Sequence, residues 1–525
     1  MGVFFVFTPR REVKIHYLPE IGPKMNKMKK NILLTLLLSM SLSSFGQVQI
    51  GNDIDGENIE DLSGHSVALS ANGNIVAIGA IENDDGGNRS GHVRVYENVA
   101  GTWAQIGQDI AGEAEDDRSG WSLALSANGG IVAIGSDLNN SWRGQVEVYE
   151  NIGGTWTQIG EDIEGENFQD ISATSISLSN DGSIIAIGAP RSDGTANNSG
   201  HVRVFENSGG SWIQIGQDID GVQEQGRLGN SVALNGEGNI IAIGASQNDE
   251  NGTNTGEVKV FENINGAWTQ LGGDINGEVE FEDSGSEVSL SQVGNIMAIS
   301  SPSSNANGLH SGHVRIFEYL GGVWTQIGED INGEASEDYF GWSMALSASG
   351  NIIAIGSLWN DNNGSDAGNV RIFQNLSGVW TQIGESINGE AANDNSGYSV
   401  DISADGNTVA IGAKFNDGNG NGSGQVRVFD LTQSVLSIPT IDLETTLSLF
   451  PNPTSDFIAI QIGGLNNQGL CIKLFDIQGK LLRESKINKG QTISYFDIQT
   501  VYSGTYIIEL SANGFSTSRK IIIEK

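Results

Sequence analysis

Seven residues occupy one recurring position of this chain: His65, Trp121, Thr174, Asn230, Ser286, Trp342 and Tyr398, each just after a Ser-Gly, Phe-Gly or related pair. The set mixes aromatic faces, which can stack on a sugar or a peptide, with groups that hydrogen-bond. His65, Trp121, Asn230, Trp342 and Tyr398 are therefore the candidate ligand-binding residues, with gap-filling between elements as the competing role. Trp359 is a further aromatic candidate in a loop. A second column is acidic and amidic: Asn83-Asp-Asp, Asn248-Asp-Glu, Asn360-Asp361 and Asn416-Asp-Gly-Asn-Gly-Asn. Oxygen ligands at alternate loop positions suit calcium, and Asn416, Asp417, Asn419 and Asn421 are the candidate set. Calcium sites use more carboxylates than these loops supply, so the expectation is no cofactor, with calcium as the alternative. Carboxylates abound, but they stand in repeat columns, and the six histidines scatter. Glycosidase or lyase chemistry needs one asymmetric set, so no catalytic residue is expected.

The elements that would position these residues repeat too. The phrase Gln-Ile-Gly (once Gln-Leu-Gly) begins at Gln49, Gln105, Gln158, Gln214, Gln270, Gln326 and Gln382, at spacings of 56 residues except one of 53. Each unit offers four short β-branched or aromatic runs bounded by Gly, Asn, Asp or Ser, the pattern of four strands. Seven such units predict an all-β, seven-bladed β-propeller over residues 47–431. The last unit ends at Leu431 without its Trp-containing strand, and Gln47-Val-Gln-Ile-Gly supplies one, so the N-terminal strand is expected to close the last blade. That places the Trp strand outermost and the Ser-x-Ala-Leu strand innermost. The Trp column (103, 156, 212, 268, 324, 380) is expected to wedge blade against blade, and the Arg column (94, 203, 315, 371, 427) to pair with local carboxylates.

Phe340-Gly341 together with Gly188-Ala-Pro190 resembles the FG-GAP repeat of integrin α-chain propellers and of many bacterial surface proteins. The family often carries a calcium loop between the first two blade strands. Here that place holds Asn72-Gly, Asp181-Gly and Asp405-Gly turns, so the family site is expected to be absent.

The ends speak of export. Met25-Asn-Lys-Met-Lys-Lys30, the apolar run from Ile32 to Leu42 and Ser43-Ser-Phe-Gly46 form a signal peptide, with cleavage expected between Gly46 and Gln47 and translation from Met25. Residues 1–46 would thus be an upstream extension plus signal, leaving no transmembrane segment in the mature protein. Residues 432–444 read as a linker, and 445–525 as a small immunoglobulin-like β-sandwich. Pro451-Asn452-Pro453, Gly504-x-Tyr506 and the closing Lys520 to Lys525 resemble the type A C-terminal sorting domain of the type IX secretion system of Bacteroidetes. The resemblance implies the type IX machinery as a partner and a secreted or cell-surface destination. The lone Cys471 forms no intramolecular disulfide.

Between residues 47 and 431 stand 12 basic and 54 acidic residues, a net charge of −42. That field disfavours nucleic acid as a partner. The reading is a monomeric binding or adhesion module for an extracellular glycan or protein. Its alternatives are a polysaccharide-active glycosidase or lyase, and a structural matrix component.

Overall fold

The computed structural model describes residues 3–6, 14–17 and 47–432, and residues 447–525 apart from 451–453, 463–469, 477–479, 488–492 and 513–514. Residues Val3–Val6 and Lys14–Tyr17 pair as a hairpin in a unit of their own. The expected start at Met25 and the Gly46 side of the cleavage site lie outside the described residues, as does Pro451-Asn452-Pro453.

From residue 48 to residue 430 the chain builds seven antiparallel sheets of like topology. In blade 1 the order from the inner edge is Ser63–Leu69, Ile75–Ala80, His92–Val99 and Thr102–Gln105, and the short Ile110–Ala111 pairs beside the last on the third strand. The second strand is apolar on both faces because both are covered: Val76, Ala77 and Ile78 are essentially inaccessible. Seven apolar clusters result, one between each neighbouring pair of blades. The single 53-residue spacing falls in blade 2, whose loop between Ser136 and Gln145 is shortened around a turn at Asn139–Trp142 with positive φ at Asn140, Ser141 and Trp142.

Blade 7 comprises Ser399–Ile402, Thr408–Ala413 and Gln425–Asp430, and Val48–Gln49 is its outer strand. Ile54–Asp55 pairs on the same third strand. The ring is thus closed by its first strand, and the apolar cluster joining Ile54 and Val428 to Leu69 and Ile78 seals blade 7 to blade 1.

Two polar devices repeat around the ring. Each Trp indole donates to the preceding blade: Trp103 to Ile50 O at 2.8 Å, Trp156 to Ile106 O at 2.8 Å, and so on to Trp380 on Ile327 O at 3.0 Å. The Trp column is a set of inter-blade ties. At the inner edge, Ser66, Ser122, Ser175, Ser231, Ser343 and Ser399 donate to a carbonyl of the next blade at 2.6–2.9 Å. Close approach there requires glycine on the second strand; a Cβ on Gly79 would lie 2.4 Å from Gly120 O. Blade 5 breaks the column with Glu287, and there Ser300 replaces the glycine and accepts from Glu287 N at 3.0 Å.

The C-terminal unit has two sheets. Leu447–Phe450, Phe457–Ile462 and Ile493–Asp497 make one; Leu481–Ile487, Leu470–Asp476, Gly504–Ala512 and Phe515–Ile523 make the other. Ile458, Ile460, Ile472, Leu474, Phe496, Ile508 and Ile521 fill the space between them.

Candidate functional site

The Ser-Gly and Phe-Gly pairs set the geometry of the column that follows them. Gly64, Gly120, Gly229, Gly285, Gly341 and Gly397 have φ between +84° and +92°, the left-handed region where glycine is at ease. The chain turns there into the innermost strand, and the next side chain is delivered to the rim of the axial channel. Four consecutive blades deliver rings that meet. His65 lies 4.6 Å from Trp121 and 5.0 Å from Tyr398 between ring centroids, and Tyr398 lies 5.7 Å from Trp342. His65 is buried at the centre of the arc, while Trp342 keeps 40% of its surface. A second aromatic pair, Tyr339 and Trp359, meets edge-on at 4.6 Å, and Trp359 is 41% exposed.

Cations attend the arc. Lys414 Nζ sits 3.5 Å above the centre of the Tyr398 ring, and the Arg118 guanidinium lies 5.7 Å from that of Trp121. Burial pulls the Lys414 ammonium down to about 8, a shift that Glu82 opposes and Arg118 reinforces. Burial first, and then Lys414 and Arg118, hold the His65 imidazole well below its ordinary value, so it is neutral at pH 7. The other half of the rim is polar and internally satisfied: Asn230 Nδ2 donates to Ser286 O at 3.1 Å and Thr174 Oγ1 to Ile171 O at 2.8 Å. The structure thus gathers His65, Trp121, Trp342 and Tyr398, and leaves Asn230 among the polar residues of the opposite blades.

The loop chosen for calcium is occupied by its own architecture. Asn416 Oδ1 accepts from Gly418 N at 2.8 Å and Asp417 Oδ1 from Gly422 N at 2.8 Å. Asn419 turns its amide toward Gly56 O and Glu57 O, and Asn421 contributes its backbone carbonyl to Glu60 N.

The expectation that no catalytic constellation exists is corrected by the structure. Among the described residues, three sets of side chains bring potential ligand atoms within 4.8 Å of one another: Glu57, Asp85, His92 and Asp109; Glu166, His201 and Asp218; and Glu250, Glu257 and Asp274. Sequence reasoning missed them because each set draws on positions 7 to 35 residues apart in the chain, which only the fold brings together. The signal available was the column at the head of the third strand, His92, Gln145, His201, Glu257, His313, Asn369 and Gln425, where four ligand-type residues stand among three amides.

The Arg column is structural. Arg94, Arg203, Arg315, Arg371 and Arg427 each donate to a backbone carbonyl of the preceding blade at 2.6–2.9 Å. Each also meets a glutamate there, as Arg315 meets Glu278 at 3.3 Å.

In the C-terminal unit Gly504 opens the strand that carries Tyr506, whose hydroxyl donates to Tyr502 O at 2.9 Å. Lys520 pairs in register with Ile507 on the adjacent strands, and Lys525 reaches back to Gln499 O.

A family model described as a secretion system C-terminal sorting domain matches residues 448–524, and one described as an FG-GAP repeat matches residues 332–373, which lie mostly within blade 6. No curated protein matches the chain. Similar solved structures include U3-55K, at 11% identity and TM-score 0.47 over 72% of this chain and 98% of that one. A GH74 xyloglucanase from Xanthomonas campestris follows at 10% and 0.44, covering 80% and 59%. The β-propeller domain of the Trilobed protease from Pyrococcus furiosus is at 9% and 0.37, covering 66% and 90%. Likenesses this distant carry no argument about activity. One repeat of the propeller thus matches the FG-GAP repeat and the C-terminal unit matches a secretion sorting domain, which supports a chain exported to the cell surface or beyond. Among the described residues no helix is long and apolar enough to cross a membrane.

Proposed function

We propose that this exported FG-GAP propeller is a recognition module that takes a glycan bearing acidic groups at the mouth of its channel. The observation that carries the reading is the arc Trp342–Tyr398–His65–Trp121, continuous over four blades and flanked by Lys414 and Arg118. Aromatic faces stack on the apolar faces of sugar rings, and a cation beside them selects a carboxylate or sulfate. On a propeller with a net charge of −42, two cations at one rim are a local exception, and they make the site selective rather than generally attractive to anions.

The test is equilibrium binding of the full chain to neutral and acidic polysaccharides and to extracellular proteins, with Trp342→Ala and Trp121→Ala alongside. Saturable binding to an acidic polysaccharide, weakened tenfold or more by either substitution, supports the reading. Binding only to protein replaces the glycan with a protein ligand, and binding indifferent to both substitutions moves the site away from the rim. An absence of binding to every probe leaves a structural matrix role in its place.

A further inference from the structure

We propose that blade 1 holds one divalent first-row transition metal ion, of the zinc or manganese kind, between His92, Asp109, Asp85 and Glu57. The four ligand atoms lie within 4.8 Å of one another, close enough to converge on a single ion with small side-chain movements. None of these residues belongs to the channel mouth, so the inference stands apart from the proposed function.

The independent observation is His92 itself. Its ring has no accessible surface, and neither Nδ1 nor Nε2 has a hydrogen-bond partner. Burying an imidazole with both nitrogens unmatched is costly, and in proteins such a group has a partner or a metal. The histidines at the same position in blades 3 and 5 likewise leave Nε2 unmatched, but each finds a partner for Nδ1, so the orphan peculiar to blade 1 is Nδ1. His201 Nδ1 meets Ser192 Oγ at 3.0 Å, and His313 Nδ1 meets Ser304 Oγ at 2.8 Å. In blade 1 the place of that serine belongs to Asn83, which turns its amide to Asp61 and accepts from Asp85 N instead. His92 Nδ1 faces the carboxylates, 3.9 Å from Asp85 Oδ2.

Comparison of the blades sharpens the case. Only at blade 1 do all four groups meet, with Glu57 supplied from the adjoining blade 7: blade 3 has Gly194 in place of Asp85, and blade 5 has Ala306. In blade 4 the counterparts of His92 and Asp109 are Glu257 and Asp274, and Lys259 Nζ contacts them at 3.1 and 3.3 Å. There the pocket is occupied by the protein's own cation; in blade 1 the counterpart of Lys259 is Arg94, which turns to Glu57 and Asp55 O. Gln105 Nε2 donates to Asp109 Oδ1 at 2.5 Å, fixing that carboxylate from behind and leaving its other oxygen for an ion. Glu57 is shared with Arg94, which it meets at 3.3 Å, so His92, Asp109 and Asp85 form the core of the set. A nitrogen donor among carboxylates suits zinc or manganese better than calcium or magnesium, which take oxygen ligands.

The test uses the full chain after dialysis against a chelator, titrated calorimetrically with Zn²⁺, Mn²⁺ and Ca²⁺, with metal content measured after re-equilibration. Binding of one equivalent of Zn²⁺ or Mn²⁺, with calcium at least tenfold weaker, is the expected result. Asp85→Asn, at a position 54% exposed, weakens binding tenfold or more while the metal-free melting temperature stays unchanged. His92→Gln removes the nitrogen ligand; should it fail to fold, the visible spectrum of the Co²⁺-loaded wild type reports the nitrogen–oxygen ligand set in its place. No metal taken up, or an equivalent whose affinity survives both Asp85→Asn and Asp109→Asn, overturns the proposal.

Discussion

Replacing Glu287 by Gln tests whether the one carboxyl in the inner serine column is neutral in the folded ring. Six blades place a hydroxyl at this position, and each hydroxyl donates to the next blade. Loss of water alone drives the Glu287 carboxyl from 4.5 up to about 8, with no charged partner opposing it. The folded chain therefore keeps a proton that the unfolded chain has lost, and stability falls as pH rises from about 4.5 to about 8. At about 1.4 kcal/mol per pKa unit the full loss is about 5 kcal/mol, an upper bound because the residue keeps part of its surface. An unfolding entropy of about 2 cal/mol/K per residue, over the 385 residues of the propeller, gives about 0.8 kcal/mol/K. The loss then corresponds to about 6 °C. Scanning calorimetry of wild type and Glu287→Gln side by side cancels every other titration. The melting temperatures should nearly coincide at pH 5, and the variant should melt up to about 6 °C higher at pH 8.5. A difference that stays constant across that range would refute the neutral carboxyl.

Arg315→Ala should cost about 2–3 kcal/mol, or about 3 °C of melting temperature, because it removes charged hydrogen bonds to Asn276 O and Ser284 Oγ. Glu278→Gln, on the exposed side of the same pair, should cost under about 1 kcal/mol. Trp103→Phe deletes the tie to Ile50 O, worth about 1 kcal/mol, and should speed amide hydrogen exchange in the Val48–Ile54 segment about fivefold while leaving the C-terminal sandwich unchanged. Acylation at pH 8 should reach Lys414 before Lys259, as read by peptide mass mapping. The first amine is pulled down by burial, whereas the Glu257 and Asp274 carboxylates hold the second protonated against its own burial.

The blades were legible because period, turn residues and strand alternation all report one geometry. The missing final Trp strand identified the closure in advance, since Gln47-Val-Gln-Ile-Gly had no other role to play. Individual contacts within a column were less accessible. Asn416 and Asp417 have the residue types of a calcium loop, but whether an oxygen faces an ion or a backbone N–H depends on loop curvature that no spacing records. The blade 1 cluster was hidden differently: Glu57, Asp85, His92 and Asp109 belong to four separate segments, each of which reads locally as ordinary repeat. Glu287 and Ser300 were visible as departures from consensus, but only the pairing of the first two strands shows that the two changes compensate each other.

Closing the ring with its first strand has a consequence for biogenesis. Val48–Gln49 must find Phe429 and Asp430, the last residues of the ring to leave the ribosome or the export channel. Through the whole of its emergence the chain is an open arc with two bare sheet edges, and nothing local can complete it. Such an arc exposes the edges that chaperones bind, and a chain that stalls before blade 7 offers proteases and neighbouring copies an unprotected edge. The two-residue clasp acts as a completeness check: only a propeller delivered in full can shut.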